Sequence, residues 1–245
     1  MVILDSLKTH GFSRVLKHDE SGIPSSNKPT TLVVGYKEDV IRSGTKIGTD
    51  VDEVKAELLN GLISYLKRID PETFGALERG HFTRYNLSHA MGWEDGRDQV
   101  YLSDFVGSPE FYDINPVEGS VEALRYLAGR GYEIHAITLR RRHPHIVDAT
   151  KDWIARHYDG IINGRVHILG SIEGPLGSKA PHCAELGLSG MVEDQVEYAM
   201  EIAKHNIPVV LLDKPWNQGF EDTPMITREA DWDEAVRLIE RRKSS

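Results

Sequence analysis

Lys46-Ile47-Gly48-Thr49-Asp50-Val51-Asp52-Glu53-Val54 opens as a short β-prone run, ends it on an acid and places a second acid two residues later. Downstream, Thr138 closes the apolar run Ile134-His135-Ala136-Ile137, and Lys179 opens a helical pattern after Gly177-Ser178. Glu193-Asp194 follows the run Gly190-Met191-Val192. In a parallel sheet the strand ends gather along one edge, so residues far apart in the chain meet there. Two acids, a hydroxyl, an ammonium and a further acidic pair are the parts that a magnesium-assisted phosphoryl-transfer site needs.

Working outward, strand and helix patterns alternate from Thr45 onward. A strand over 45–50 precedes a helical pattern from 54 to about 67, with Leu58, Leu59, Leu62, Ile63 and Leu66 at helical spacing. Later spacing predicts helices over 118–130, 146–157, 180–186, 196–205 and 232–241, and strands over 133–138, 166–169, 190–192 and 209–212. Gly131, just past the first of these helices, is a stop signal. The alternation predicts an α/β fold, a Rossmann-like three-layer core with a mostly parallel sheet and helices on both faces. Residues 70–115 break the rhythm with many aromatics and glycines and no clear strand. They are read as a small helical cap inserted after the first strand, which leaves 45–69 and 116–245 as the core. Residues 1–44 are read as an N-terminal extension, with a loop over 21–29 and a β-prone run over 30–34.

A chain of 245 residues holds one generous α/β domain, or a core with a modest insertion. The net charge of −9 argues against a nucleic acid polymer or an anionic membrane as partner. A small phosphorylated metabolite remains compatible with it, because a metal and a few cations reverse the local field. The sequence has no apolar run long enough for a membrane-spanning helix, and its start lacks the pattern of a signal peptide. The single cysteine, Cys183, permits no intramolecular disulfide and fits a reducing compartment, so a cytoplasmic location is expected.

Each candidate group has a plainer reading beside the chemical one. Asp50 and Asp52 suit nucleophile and acid/base; Asp-x-Asp is also an Asx-turn or a helix cap. The Thr138 hydroxyl can hold a phosphoryl oxygen or simply end a strand. Lys179 opposes the dipole of the helix it opens, a mild cost that points to a function, or it is simply a solvated lysine. Glu193 and Asp194 offer hard oxygen ligands for Mg2+, or N-cap the helix after them. Arg140-Arg141-Arg142-His143-Pro144-His145 is either a substrate-contacting loop or a solvated basic one. Phe82, Tyr85 and Trp93 either stack on a nucleobase or fill the cap. Trp216 and Asn217 either line the pocket or fill a turn.

The whole set resembles the haloacid dehalogenase superfamily, whose phosphatases share a Rossmann-like core and an aspartyl-phosphate intermediate. Asp50-Val51-Asp52-Glu53-Val54 matches its first motif, Ile137-Thr138 the second, Lys179 the third and Glu193-Asp194 the fourth. Pro116-Val117-Glu118-Gly119, Thr150-x-x-Trp153-Ile154 and Asp213-Lys214-Pro215-Trp216-Asn217 resemble the 5'(3')-deoxyribonucleotidase branch and its uncharacterised relatives. The resemblance implies Asp50 as nucleophile and magnesium ligand. It implies Asp52 as acid/base with its carbonyl on the metal, Thr138 and Lys179 as phosphate-binding groups, and Asp194 as the remaining metal ligand. Position 53 departs from the pattern: the superfamily more often has Gly or Thr there. Glu53 then either repels an anionic substrate or points outward and favours the helix dipole.

The expected function is therefore Mg-dependent hydrolysis of a small phosphomonoester, with a 5'-nucleotide as the leading substrate. A sugar or other metabolite phosphate is the alternative within the fold. A non-catalytic binding protein is the alternative outside enzymology, although a binder has no use for an acid/base carboxylate.

Overall fold

Strand β1 (Thr45–Thr49) is short and only partly apolar, yet it lies at the centre of a six-stranded sheet. The structure, a computed structural model, describes residues 44–94, 98–173 and 175–243; the reading of 1–43 lies outside them. β1 tolerates this composition because each polar group has a task. Gly48 leaves room for Leu188 and Met191, whose side chains come within 2.5 and 2.6 Å of the place a Cβ would take. Thr49 donates its hydroxyl to the carbonyl of His135 at 3.2 Å, and Lys46 Nζ reaches the carbonyl of Leu186 at 3.1 Å.

The remaining strands are β2 (Tyr132–Arg141), β3 (Val166–Gly170), β4 (Gly190–Glu193), β5 (Val209–Leu212) and β6 (Ile226–Glu229). Their order is β3-β2-β1-β4-β5-β6, and every pair is parallel. The chain steps to one side through β2 and β3, then returns past β1 to place β4. The reversal opens a crevice beyond the carboxyl ends of β1 and β4, the position where such sheets hold their ligands.

Helix α1 (Leu58–Ile69) follows β1 after a tight loop and buries Leu59, Leu62, Ile63 and Leu66. Short helices α2 (Pro71–Phe74), a 3₁₀ turn (Arg79–His81), α3 (Leu87–Met91), α4 (Asp98–Val106) and α5 (Pro109–Tyr112) come next. Phe74, Phe82, Phe105 and Phe111 from this run pack into one core with α1 and the face of the sheet. Helices α6 (Ser120–Gly129), α7 (Pro144–His157) and α10 (Trp232–Lys243) cover that same face through Leu124, Leu127, Trp153 and Trp232. Between β3 and β5, α8 (Ala180–Leu186) and α9 (Val196–Ala203) cover the other face with Cys183, Ala199 and Ile202. The fold is thus a parallel sheet between two helical layers, as the alternation predicted.

Two details correct the sequence reading. α1 begins at Leu58 and not at residue 54, because Val51 to Glu57 close a compact loop. In it the Val51 carbonyl accepts from Lys55 and Ala56, and Glu53 has φ +59°. β6 was not foreseen; it is a four-residue edge strand in which only Ile226 is buried. Near its end β2 carries one extra residue against β3: Thr138 faces Ile168, whereas Arg141 faces Gly170. Gly170 is required there, since a Cβ would stand 2.1 Å from the carbonyl oxygen of Leu139. The irregularity bends the strand end that carries Arg140.

Candidate active site

Asp50 leaves β1 with its N–H bonded to the carbonyl of Val192 in β4, so its carboxylate enters the crevice at the reversal point. Lys179, just ahead of α8, lies 2.8 Å from Asp50 Oδ1 and 2.8 Å from Glu193 Oε2. All three side chains are buried, and Tyr198 places its ring 5.0 Å from the ammonium. Burial works against the charge on Lys179; Asp50 and Glu193 outweigh it and hold the ammonium well above the usual lysine range.

Asp194 completes the cluster. Trp216 donates its indole N–H to Asp194 Oδ2 at 3.0 Å, and Asn217 donates to the Asp194 carbonyl at 2.9 Å. The two residues after β5 therefore hold the fourth motif in place and do more than fill a turn. Asp194 Oδ1 is buried and accepts no hydrogen bond. One oxygen each from Asp50, Glu193 and Asp194 lie within 4.8 Å of one another. Burial raises the Asp50 carboxyl to about 7 against the pull of Lys179, with Glu193 and Asp52 adding to the rise. Burial, then Glu193 and Asp50, push Asp194 well above the usual carboxylate range. Two of these carboxylates share the Lys179 ammonium, and the third, Asp194, keeps an oxygen without a donor. That set fits a small hard cation.

Asp52 stands apart from this cluster. Arg140 donates Nε to Oδ1 at 3.0 Å and Nη2 to Oδ1 at 2.6 Å. Thr138 is buried on β2, with its hydroxyl accepting the Arg140 N–H at 3.1 Å. Asp50, Asp52, Thr138, Arg140 and Lys179 all line one cavity of about 850 Å³. Its far wall is apolar and comes from α1 and the short helices, including Leu62, Phe82, Leu102 and Phe111.

Several expectations change here. Glu53 does not point outward. It is fully buried, accepts the Leu59 N–H at 2.6 Å and pairs with Arg79. Of the three aromatics that could either stack on a base or fill the cap, Trp93 stacks on Tyr101 and packs T-shaped against Phe74, while Phe82 and Tyr85 line the cavity. The side chains of Arg141 and Arg142 bond carbonyls of Ser171, Ile172 and Gly170, so they staple the loop after β3. His143 and His145 stack on each other, 5.8 Å between ring centroids, at the cavity's edge.

Lys55 went unnoticed in the sequence. Its Nζ donates to the Thr49 carbonyl at 2.9 Å and also bonds the Asp50 carbonyl, directly beneath the candidate nucleophile. Burial pushes this ammonium down to about 7. A charged residue at the start of the expected helical pattern gave no sign of it; the loop that turns it inward is a tertiary feature.

A parallel sheet with acids at the reversal point and a lysine opposite is the arrangement expected from the resemblance to the haloacid dehalogenase superfamily. Among solved structures, a haloacid dehalogenase-like protein of unknown function from Agrobacterium tumefaciens superposes with a TM-score of 0.58 at 12% identity. That match covers 82% of this chain and 99% of the other. A predicted phosphatase from Clostridium acetobutylicum gives 0.55 at 14% identity, covering 80% and 98%. A predicted phosphoglycolate phosphatase from Haemophilus somnus gives 0.52 at 16%, again covering 80% and 98%. These likenesses establish the fold. No curated protein sequence matches the chain. The family model "5' nucleotidase, deoxy (Pyrimidine), cytosolic type C protein" matches residues 45–245. The chain belongs to that family, and with it to the phosphoric monoester hydrolases.

Proposed function

We propose that the protein is a magnesium-dependent phosphohydrolase that works through an aspartyl-phosphate on Asp50, with a nucleoside monophosphate as its substrate. The observation that carries this reading is the Asp50–Lys179–Glu193 triad beside an Asp194 oxygen with no donor. Asp50 attacks phosphorus, the bond to the leaving oxygen breaks, and Asp52 protonates that oxygen. Water then attacks the aspartyl-phosphate while Asp52 takes its proton, releasing phosphate and restoring Asp50. Lys179 and Thr138 hold the phosphoryl oxygens. Asp50, Asp194 and Glu193 would hold Mg2+, with the carbonyl of Asp52 as a further ligand. When bound, the ion would offset the negative charge that gathers in the transition state.

We assign residues 70–115 to a cap over the core formed by 45–69 and 116–245. The cavity exceeds what a phosphate needs, and its apolar wall of Leu62, Leu102, Phe82 and Phe111 suits a flat, weakly polar group such as a nucleobase. The family's name supports the same substrate class. Among the described residues no helix is long and apolar enough to cross a membrane; with the buried free thiol of Cys183, a cytoplasmic location is our reading. A panel of nucleoside, sugar and other metabolite monophosphates, assayed with Mg2+, tests the proposal. Nucleoside monophosphates should show the highest kcat/KM. Preference for a sugar phosphate would replace the substrate assignment, and no hydrolysis of any ester would overturn the activity.

A further inference from the structure

The arginine that follows the second motif does not reach for substrate; it reaches across to Asp52. Its Nε–H lies 3.0 Å from Asp52 Oδ1 and 3.2 Å from Oδ2, and Nη2 gives Oδ1 a third contact at 2.6 Å. On the opposite side Nη1 donates to Thr150 Oγ1 at 3.0 Å, and the guanidinium carbon sits 5.0 Å from the Phe111 ring centroid. Thr150 is itself fixed, donating its hydroxyl to the Ile146 carbonyl at 2.7 Å. The Arg140 side chain is 8% exposed, so this is a packed contact held on three sides and not a surface pair.

The geometry is lopsided. Oδ1 takes two good bonds, whereas Oδ2 keeps only the longer contact with an N–H already shared. A planar, permanently charged fork that anchors one oxygen fixes the rotation of the whole carboxyl group. The other oxygen is left to carry and deliver a proton. We propose that Arg140 is the positioning residue of Asp52: it aims Oδ2 at the leaving oxygen, and Thr150 and Phe111 hold Arg140 for that task. The inference rests on the phosphohydrolase reading, with Asp52 as the acid/base.

Phenyl phosphate and p-nitrophenyl phosphate are nearly equal in size, but phenol leaves far less readily without a proton. kcat/KM reports the steps up to leaving-group departure, so it isolates the acid from the later attack of water. Loss of general acid help costs about 10²–10⁴-fold. Arg140→Gln should therefore lower kcat/KM for phenyl phosphate about tenfold or more beyond its effect on p-nitrophenyl phosphate. Arg140→Lys should recover part of that ratio. Thr150→Val, which leaves both Asp52 and Arg140 in place, should shift the ratio in the same direction by a smaller factor. It also keeps the test valid if Arg140→Gln does not fold. Equal proportional losses on both esters in the folded variants would overturn the inference in favour of phosphate binding or plain structural support. A gain on phenyl phosphate would overturn it too, because Arg140 would then restrain the acid. Asp52→Asn separates the two layers. If it shifts the ratio and the Arg140 and Thr150 variants do not, the positioning role fails alone. If Asp52→Asn leaves the ratio unchanged, the acid/base reading fails and the inference falls with it.

Discussion

At Glu53 the backbone adopts φ +59°, a conformation that costs a non-glycine residue and that Gly adopts freely. The departure from the superfamily pattern therefore carries a backbone cost, and the side chain offsets it by two contacts. Oε1 accepts the Leu59 N–H near the open N-terminus of α1, and Oε2 pairs with Arg79 from the following 3₁₀ turn. The same short loop presents Asp50 and Asp52 in different directions: one carboxylate meets Lys179 and the other meets Arg140. An alternation of strand side chains would not do this; the loop that begins at Val51 does. Asp50 thus has the fixed position that the proposed nucleophile role requires. Asp50→Asn should abolish turnover in a protein that melts normally, because an amide does not attack phosphorus. A residual rate above about a hundredth of wild type would contradict the nucleophile role, since the loss should exceed that of acid–base help alone.

The elements were legible where hydrophobic period and length agree, as in 180–186 and 209–212, which the structure gives as α8 and β5. They were not legible where tertiary contacts supply the reason. Ile226-Thr227-Arg228-Glu229 forms a strand only because β5 offers it a partner edge. Among the short helices, stacking potential and core filling look alike in sequence, and only packing separates Phe82 on the cavity from Trp93 between Phe74 and Tyr101. Tyr85, which lines the cavity and is only half-buried, is the better stacking platform than the core residue Phe82, so Tyr85→Ala should raise the Michaelis constant for a nucleotide about tenfold, in line with roughly 1–3 kcal/mol per stacked base. Trp93→Ala should instead lower the melting temperature and leave that constant within about twofold. The reverse pattern would exchange their roles. A second element-level feature joins β2, β3 and α8. His135 Nδ1 and His167 Nε2 are 3.0 Å apart, as are His167 Nδ1 and His182 Nε2, with Glu133 2.7 Å from His135 Nε2. Burial, then His182 and His135, push His167 down to about 4. Above the ordinary histidine value of about 6.5 the ring is neutral in both folded and unfolded chains, and its contribution to stability is intact. As pH falls from there toward 4 the unfolded chain takes up a proton that the folded one refuses, so stability is lost. Melting temperature should drop across that interval, and His167→Gln should flatten the drop. An identical slope in the variant would remove the histidine chain from the account.

Over the whole molecule, the order β3-β2-β1-β4-β5-β6 brings four separated motifs to one crevice, and this is why the site could be read from the sequence at all. Each of its residues stands in or just after the C-terminal half of a strand or just before a helix, where local pattern and global position coincide. The pairs Arg140–Asp52 and Arg79–Glu53 had no such marker, since they depend on the bent end of β2 and on the short helices after α1. The crevice also concentrates charge of one sign. Oxygens of Asp50, Glu193 and Asp194 lie within 4.8 Å of one another, Lys179 pairs with the first two, and one Asp194 oxygen is unpartnered. Folding without a cation therefore works against repulsion that a divalent ion would relieve. A ligand that binds only the folded chain, at a hundred times its dissociation constant, adds about 2.7 kcal/mol. In a chain of this size that raises the melting temperature by roughly 5–10 °C. Magnesium should produce that rise in wild type, and EDTA should abolish hydrolysis. Asp194→Asn removes a candidate ligand oxygen from the cluster, so it should respond little to magnesium. Thermal melts with and without the ion decide the matter. An unchanged wild-type melting temperature, or an equal magnesium response in the variant, would place the metal elsewhere and leave the three carboxylates without the role assigned to them.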